Sequence, residues 1–154
     1  MLQVGNAGMN PEEDKSHFSL WAILAAPLFA GNDIRRMKPG VSAILLNREV
    51  IAIDQDPRGR AGTRIKKDGS SEVWARPLAD GGFAVVLFNR GSLAVRIAID
   101  WSSLGLSSQQ TAQVRDLWKR EEIGAFKKEY ADTVAAHGVV MIKVSVANKD
   151  ERKQ

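Results

Sequence analysis

Few residues in this 154-residue chain have the types and spacing that chemistry needs. Asp54 and Asp56 stand two apart beside a turn, which is one arrangement of an acid/base pair. With Pro57 next to them, the same two residues also serve as caps and turn formers, and that role explains them. Asp33 follows a short apolar run, Leu28-Phe29-Ala30, and so sits at the C-terminal end of an expected strand, the face where α/β barrels place catalytic groups. Tying its loop or capping the next helix is the competing role for that carboxylate. His17 lies on an otherwise apolar helix and reads as a packed histidine rather than a base. His137 precedes Gly138 in a turn without a second histidine near it, so no metal site is expected there. Trp74, Trp101 and Trp118 offer faces on which a sugar ring can stack, or bulk for a core or a domain seam. No serine stands at nucleophile-elbow spacing. The residues alone assemble no complete active site.

The elements that would position these groups change character at Arg48–Gly59. Before that stretch apolar residues recur at helical spacing. After it they alternate in short runs cut by Asp-Gly and Gly-Gly turns. Asn10 can cap a helix, Pro11 suits its first turn, and Glu12, Glu13 and Asp14 favour its positive end. Phe18, Trp21, Ala22 and Ala25 then fall at i, i+3, i+4 and i+7, with Leu20, Ile23 and Leu24 beside them, so the helix is apolar around most of its circumference and should run to Pro27. Leu28 to Ala30 reads as a short buried strand. Pro39 opens a second helix ending near Asn47, and Val50 to Ile53 form a last helical turn stopped by Asp56-Pro57. One strand cannot make a sheet, and such a unit cannot cover its own apolar helix. Residues 1–59 therefore read as the incomplete end of a larger α/β unit.

Residues 60–146 carry the signals of an antiparallel sandwich, with strands expected near 63–67, 72–78, 82–89, 93–99, 111–118, 122–126, 129–135 and 139–146. Asp68-Gly69 and Asp80-Gly81-Gly82 are hairpin turns in which glycine supplies positive φ. Val95, Ile97 and Ile99, and likewise Val140, Ile142, Val144 and Val146, define inward faces, while Phe83–Phe88 is apolar on both faces and should be central. Residues 147–154 read as a charged, solvated tail.

Composition excludes several classes. The absence of cysteine rules out disulfides, thiolate zinc sites and a cysteine nucleophile. The net charge of +4 is modest and its basic residues are interleaved with acids, the densest basic stretch being Arg58, Arg60, Arg64, Lys66 and Lys67. Nucleic acid is therefore not an expected partner. Gly5-Asn6-Ala7-Gly8 is a flexible loop without the Gly-Lys-Ser/Thr of a phosphate loop. The run from Trp21 to Gly31 is too short to cross a bilayer, which needs about 20 residues, and the first residues lack the basic region of a signal peptide.

Several segments in order, Met1-Leu2-Gln3-Val4-Gly5-Asn6-Ala7-Gly8-Met9, His17-Phe18-Ser19-Leu20-Trp21-Ala22, Ala26-Pro27-Leu28, Asn32-Asp33-Ile34-Arg35 and Val50 through Gly59, resemble the C-terminal third of family 27 glycoside hydrolases, the α-galactosidases or melibiases. Glu72 through Leu78, Val85 through Arg90, Val114 through Trp118 and His137-Gly138 continue the resemblance across roughly residues 1–146. It implies a fold of α/β plus all-β class: the terminal part of a (β/α)8 TIM barrel, with its eighth strand at Leu28–Ala30, followed by an antiparallel Greek-key β-sandwich. It also implies a retaining mechanism in which two aspartates, about 5 Å apart, act as nucleophile and acid/base. Both come from earlier barrel strands. The Tyr-x-Lys-Tyr-Asp nucleophile motif is absent here, as is the region supplying the acid/base. Of the motif Trp-Asn-Asp-Pro-Asp-Met-Leu only Met1-Leu2 remains, and Met1 alone carries over as a substrate neighbour. Asn32 stands where many relatives have cysteine. The expectations are a chain inactive alone, no cofactor or metal, an α-galactoside substrate only when an N-terminal barrel completes it, and self-association through the uncovered apolar helix. The alternative is a non-catalytic β-sandwich module with a structural or carbohydrate-binding role, its sugar contact made through Trp74 or Trp101.

Overall fold

A computed structural model describes residues 1–146; the expected charged tail at 147–154 lies outside the described residues. Helix α1 spans Pro11–Ile23, α2 Pro39–Leu45 and α3 Arg48–Asp54. Strands β1 (Thr63–Asp68), β2 (Ser71–Pro77), β3 (Phe83–Asn89), β4 (Val95–Asp100), β5 (Thr111–Asp116), β6 (Glu121–Lys127), β7 (Glu129–Val134) and β8 (Val139–Ser145) follow.

The start of α1 is built as its residues dictate. The Asn10 side chain accepts from the Glu12 and Glu13 amides, and the Glu13 carboxylate accepts from the Asn10 amide, a full capping box. Its end is not where Pro27 would put it. The chain leaves the helix at Ile23 because Ala25 turns left-handed, at φ 53°. The Ala26 N–H then donates to the Trp21 carbonyl and the Ala25 N–H to that of Ala22. This is a Schellman closure with alanine where glycine is usual. Ala25→Gly should therefore raise stability by about 0.5–1 kcal/mol, since the left-handed turn costs an L-residue what it does not cost glycine. A thermal melt unchanged or lowered by that substitution would contradict the assignment.

All eight expected strands form, and every pair is antiparallel. Six make one sheet in the order β1-β2-β3-β8-β5-β6, and β4 with β7 makes a second. The apolar strand β3 sits inside the larger sheet, as its two apolar faces require. Val85 and Leu87 point to the core between the sheets with Ile97, Ile99, Trp101 and Ile142. Ala84 and Val86 point the other way, with Met141, into a second core shared with Phe18, Ala22, Ile23, Val50 and Ile53.

That second core corrects the expectation of an uncovered helix. Phe18, Ala22 and Ile23 are buried against the outer face of the six-stranded sheet. The period-3.6 pattern of α1 specifies burial but not the element that provides it, and here the sandwich does. Polar groups fix the docking. Asn47 caps α3 through Glu49 and Val50 and donates from Nδ2 to the Leu117 carbonyl at 2.9 Å. Ser16 donates to the His137 carbonyl at 2.8 Å. Arg115 forms a two-bond fork with Glu49, at 2.7 and 2.8 Å.

The expected buried strand at Leu28–Ala30 is also corrected. Only Ala30 pairs, through a single parallel bridge to Leu2, and Phe29 is 66% exposed. A parallel strand is stable when both flanks are hydrogen-bonded and both faces covered; this segment has one partner residue.

Candidate functional site

The segments expected to lie near substrate meet at that bridge. The Leu2 N–H donates to the Phe29 carbonyl at 2.8 Å, and Asn6 reaches the Gly31 carbonyl. Gly31 has a reason to be glycine: a Cβ there would lie 2.3 Å from the Leu2 carbonyl oxygen. Leu2 and Val4 are buried, whereas Met1 is 75% exposed. Beside Leu2 opens a groove of about 370 Å³ walled by Leu2, Phe18, Leu28, Ile34, Leu46 and Ile51, with Gln55 as its one polar wall residue among the described residues. Among the described residues no carboxylate lines it.

The candidate acids are all engaged elsewhere. Asp33 accepts from the Arg35 amide at 3.0 Å and from its guanidinium at 2.9 and 3.1 Å. Those bonds, the side-chain ones first, hold its carboxyl below the usual carboxylate range. Asp33 thus caps the short 3-10 turn that follows it and is a loop tie, not a poised acid. Asp56 accepts from the Arg58 and Ala79 amides and anchors the turn into the β2–β3 hairpin. Asp54 is buried; desolvation pushes its carboxyl up, against a hydrogen bond from Gln55 and the charge of Arg76. The turn role assigned to Asp56 stands, while Asp54 faces the seam. Of the first-turn acids on α1, Glu13 closes the capping box and Asp14 is buried, accepting weakly from the Gly5 amide.

His17 is packed, as its apolar helix suggests, but it has a specific task. Its Nε2 accepts the Gln3 N–H at 3.1 Å, and its ring packs on Trp21 with centroids 4.6 Å apart. An acceptor nitrogen must be unprotonated. Burial lowers the His17 pKa, the Asp14 carboxylate opposes this, and the positive charge at Met1 lowers it further. Because the folded value is depressed, the contribution to stability is complete above the ordinary value near 6.5 and is lost as pH falls through the folded value. Urea melts at descending pH should show this step in the parent protein and not in His17→Gln; identical pH profiles would remove the assignment. His137 is exposed in a turn with φ 53°.

The tryptophans separate cleanly. Trp101 is fully buried, its indole donating to the Phe126 carbonyl at 3.0 Å, so it presents no face to a sugar. Trp74 is half-buried and donates to Glu72 at 2.9 Å, with the Arg64 guanidinium 5.8 Å from its ring centroid. Glu72 is buried, and Arg64 and Arg90 pair with it. Burial pushes its carboxyl up, but the bonds from Trp74 and Arg90 and the charges of both arginines outweigh that and set it below the ordinary value. The Glu72 cluster is not visible in sequence because Arg90 comes from the turn after β3, 18 residues along the chain. Trp118 is half-buried on the other side of α1, its indole donating to Ser19 at 2.9 Å.

Comparison with known proteins agrees with the two-part architecture. The family described as "Alpha galactosidase A" matches residues 1–56, and "Alpha galactosidase C-terminal beta sandwich domain" matches residues 68–144. The chain is 44% identical over 141 residues to Alpha-galactosidase 2 of Arabidopsis thaliana, covering 92% of this chain and 36% of that protein. It is 44% identical over 137 residues to an alpha-galactosidase of Coffea arabica, covering 89% and 36%. The crystal structure of alpha-galactosidase I from Mortierella vinacea superposes with a TM-score of 0.91 at 34% identity, over 96% of this chain and 40% of that one. The chain thus spans little more than a third of the length of these relatives. With helices packed on a β-sandwich and matches running in register through both parts, this chain belongs to the α-galactosidase (melibiase) family.

Proposed function

We propose that the chain is the end of the (β/α)8 barrel and the β-sandwich of a retaining glycoside hydrolase acting on terminal α-D-galactosides, and that by itself it does not hydrolyse them. The observation that carries the second half is the groove beside Leu2, which is apolar and among the described residues has no carboxylate on its wall. Retaining hydrolysis needs two carboxyl groups across the scissile bond, roughly 5 Å apart. Asp33, the acid best placed by sequence, is committed to Arg35. In this reading Met1 neighbours the sugar when the remaining strands are present, and those strands cover the groove. Purified chain given p-nitrophenyl α-D-galactoside should release nitrophenol no faster than buffer. Turnover that survives purification to constant specific activity would overturn the reading.

The same groove carries the association expected of the chain, relocated from α1 to its rim. Ile34 and Leu46 of its wall are each 65% exposed, and Met1 and Phe29, on the two segments that meet at the Leu2–Ala30 bridge, are 75% and 66% exposed. Large exposed apolar side chains of this kind favour contact with another surface. Sedimentation velocity should show mass rising with concentration, and Phe29→Ser with Leu46→Ser should return it to monomer. A parent protein that sediments as monomer at its highest concentration would exclude this.

A further inference from the structure

A second cleft, of about 240 Å³, lies on the seam where the first turns of α1 face the ends of β5, β7 and β8. Trp118 and Val139 give it an apolar floor, and Asp116, Asp132, Lys15 and Lys119 stand around it. Unlike the groove beside Leu2, it combines an aromatic ring with charged groups.

Each part is held in place by bonds of its own within the protein. The Trp118 ring packs against Phe18, centroids 6.2 Å apart, and its indole N–H is bound to Ser19, so α1 sets its orientation. Asp116 Oδ1 accepts from the Trp118 and Lys119 amides at 2.9 and 2.8 Å. Asp132 accepts from the Tyr130 hydroxyl at 3.0 Å and from the Thr133 amide at 2.7 Å. An ionised carboxylate has about four acceptor sites, so both aspartates keep capacity to spare. Lys119 stands 3.6 Å from Asp116, and Lys15 is 3.3 Å from Glu12, which also lines the cleft. An ammonium has three donors, so both lysines can also bind something further.

The geometry points to a binding site for one uncharged hexopyranose unit. A pyranose presents a C–H face that packs on an indole, and a rim of hydroxyls that donate to carboxylates and accept from ammonium groups. Pre-set polar groups lower the ordering cost of such binding. Three carboxylates against two lysines disfavour a phosphorylated or sulfated ligand. An apolar ligand would cover the buried Asp116 carboxylate and the polar groups around it without offering them partners. This does not rest on the hydrolase reading: the cleft is complete within the described residues, and binding is measured without turnover.

The test is NMR titration of the intact chain with methyl α-D-galactopyranoside, following the Trp118 indole and Thr133 amide signals. Both should shift along one saturable curve. Galactose 6-phosphate should bind at least about tenfold more weakly, the discrimination one misplaced charge provides. Asp132→Asn keeps an oxygen to accept from the Thr133 amide and can donate from Nδ2 to the Tyr130 hydroxyl in place of the bond it loses. It should therefore weaken the sugar about tenfold with little change in melting temperature. Trp118→Phe, which keeps a ring for Phe18, should weaken it as well. A linear, unsaturating response, equal affinity for the phosphate, or an Asp132→Asn curve superimposable on the parent would each overturn the site. A saturable shift at Trp74 signals instead would place the sugar elsewhere and overturn it too.

Discussion

Arg76→Ala should cost about 3–5 kcal/mol of stability, the range seen when a buried charge is removed from its partners. Arg76 is on β2 with its side chain fully buried. Its Nη1 donates to the carbonyls of Ala22, Ile53 and Asp54, at 3.1, 2.7 and 3.3 Å. Ala22 lies in the last turn of α1, and Ile53 and Asp54 end α3. One guanidinium thus meets the C-terminal ends of two helices, where unpaired carbonyls concentrate partial negative charge. Truncation removes the side-chain donor from all three carbonyls: those of Ala22 and Ile53 keep only the longer backbone bonds from Ala25 and Asp56, at 3.2 and 3.3 Å. A buried group short of a donor costs about 1–3 kcal/mol, part of which relief of the arginine's own desolvation offsets. Among the described residues Nε and Nη2 have no partner, so the effect rests on Nη1. Arg76→Lys keeps a charge and should lose roughly half as much. Arg64→Ala, at a half-exposed residue, should lose less than about 1 kcal/mol. Hydrogen exchange adds a spatial readout: protection should fall first in α1 and α3 and persist in β3 and β8. A denaturation midpoint for Arg76→Ala near that of Arg64→Ala would show that the helices are held by packing alone.

The second large effect belongs to the other core. Trp101→Ala should lose about 3–5 kcal/mol, as expected for deleting the bulk of a fully buried tryptophan. Trp101 is the largest side chain with no exposure, and it packs with Ile99, Leu104 and Tyr130 between the two sheets. Its backbone N–H donates to the Lys128 carbonyl at 2.8 Å while its indole serves Phe126, so it ties the end of β4 to the β6–β7 connection. Trp101→Phe keeps much of the volume but not the donor and should lose about half of that. Here protection should fall in β4 and β7 together with the larger sheet, the reverse of the Arg76 pattern. If Trp101→Ala melted within about 1 kcal/mol of the parent, the inter-sheet core would be collapsing around the cavity. Because the two residues lie in separate clusters, their effects should add.

Much of this molecule is legible in the order of its residues. The eight strands fall within a residue or two of where alternation and glycine turns put them, and Asn10-Pro11 starts α1. These features are set by neighbours along the chain: a strand's period of two, the positive φ that Gly69 and Gly81 supply at their turns, a cap three residues from its partner. The family follows from sequence as well, because its motifs are short and contiguous. Asp33 shows the limit of such reading, since a strand-end carboxylate looks the same on paper whether Arg35 holds it or not.

What tertiary structure alone decided is which surfaces meet. The sequence states that α1 must be buried; it is the outer face of β3 and β8, more than 60 residues away in the chain, that buries Phe18 and Ile23. Arg76 reads as an ordinary polar residue on a strand until two helix ends converge on it. Trp101 and Trp118 are the same residue type, yet one closes a core and the other floors a cleft. Local pattern fixes each element because its hydrogen bonds and φ values involve near neighbours. Burial, pairing of distant charges and the shape of a cleft depend on contacts between segments far apart in the chain, and no local spacing encodes them.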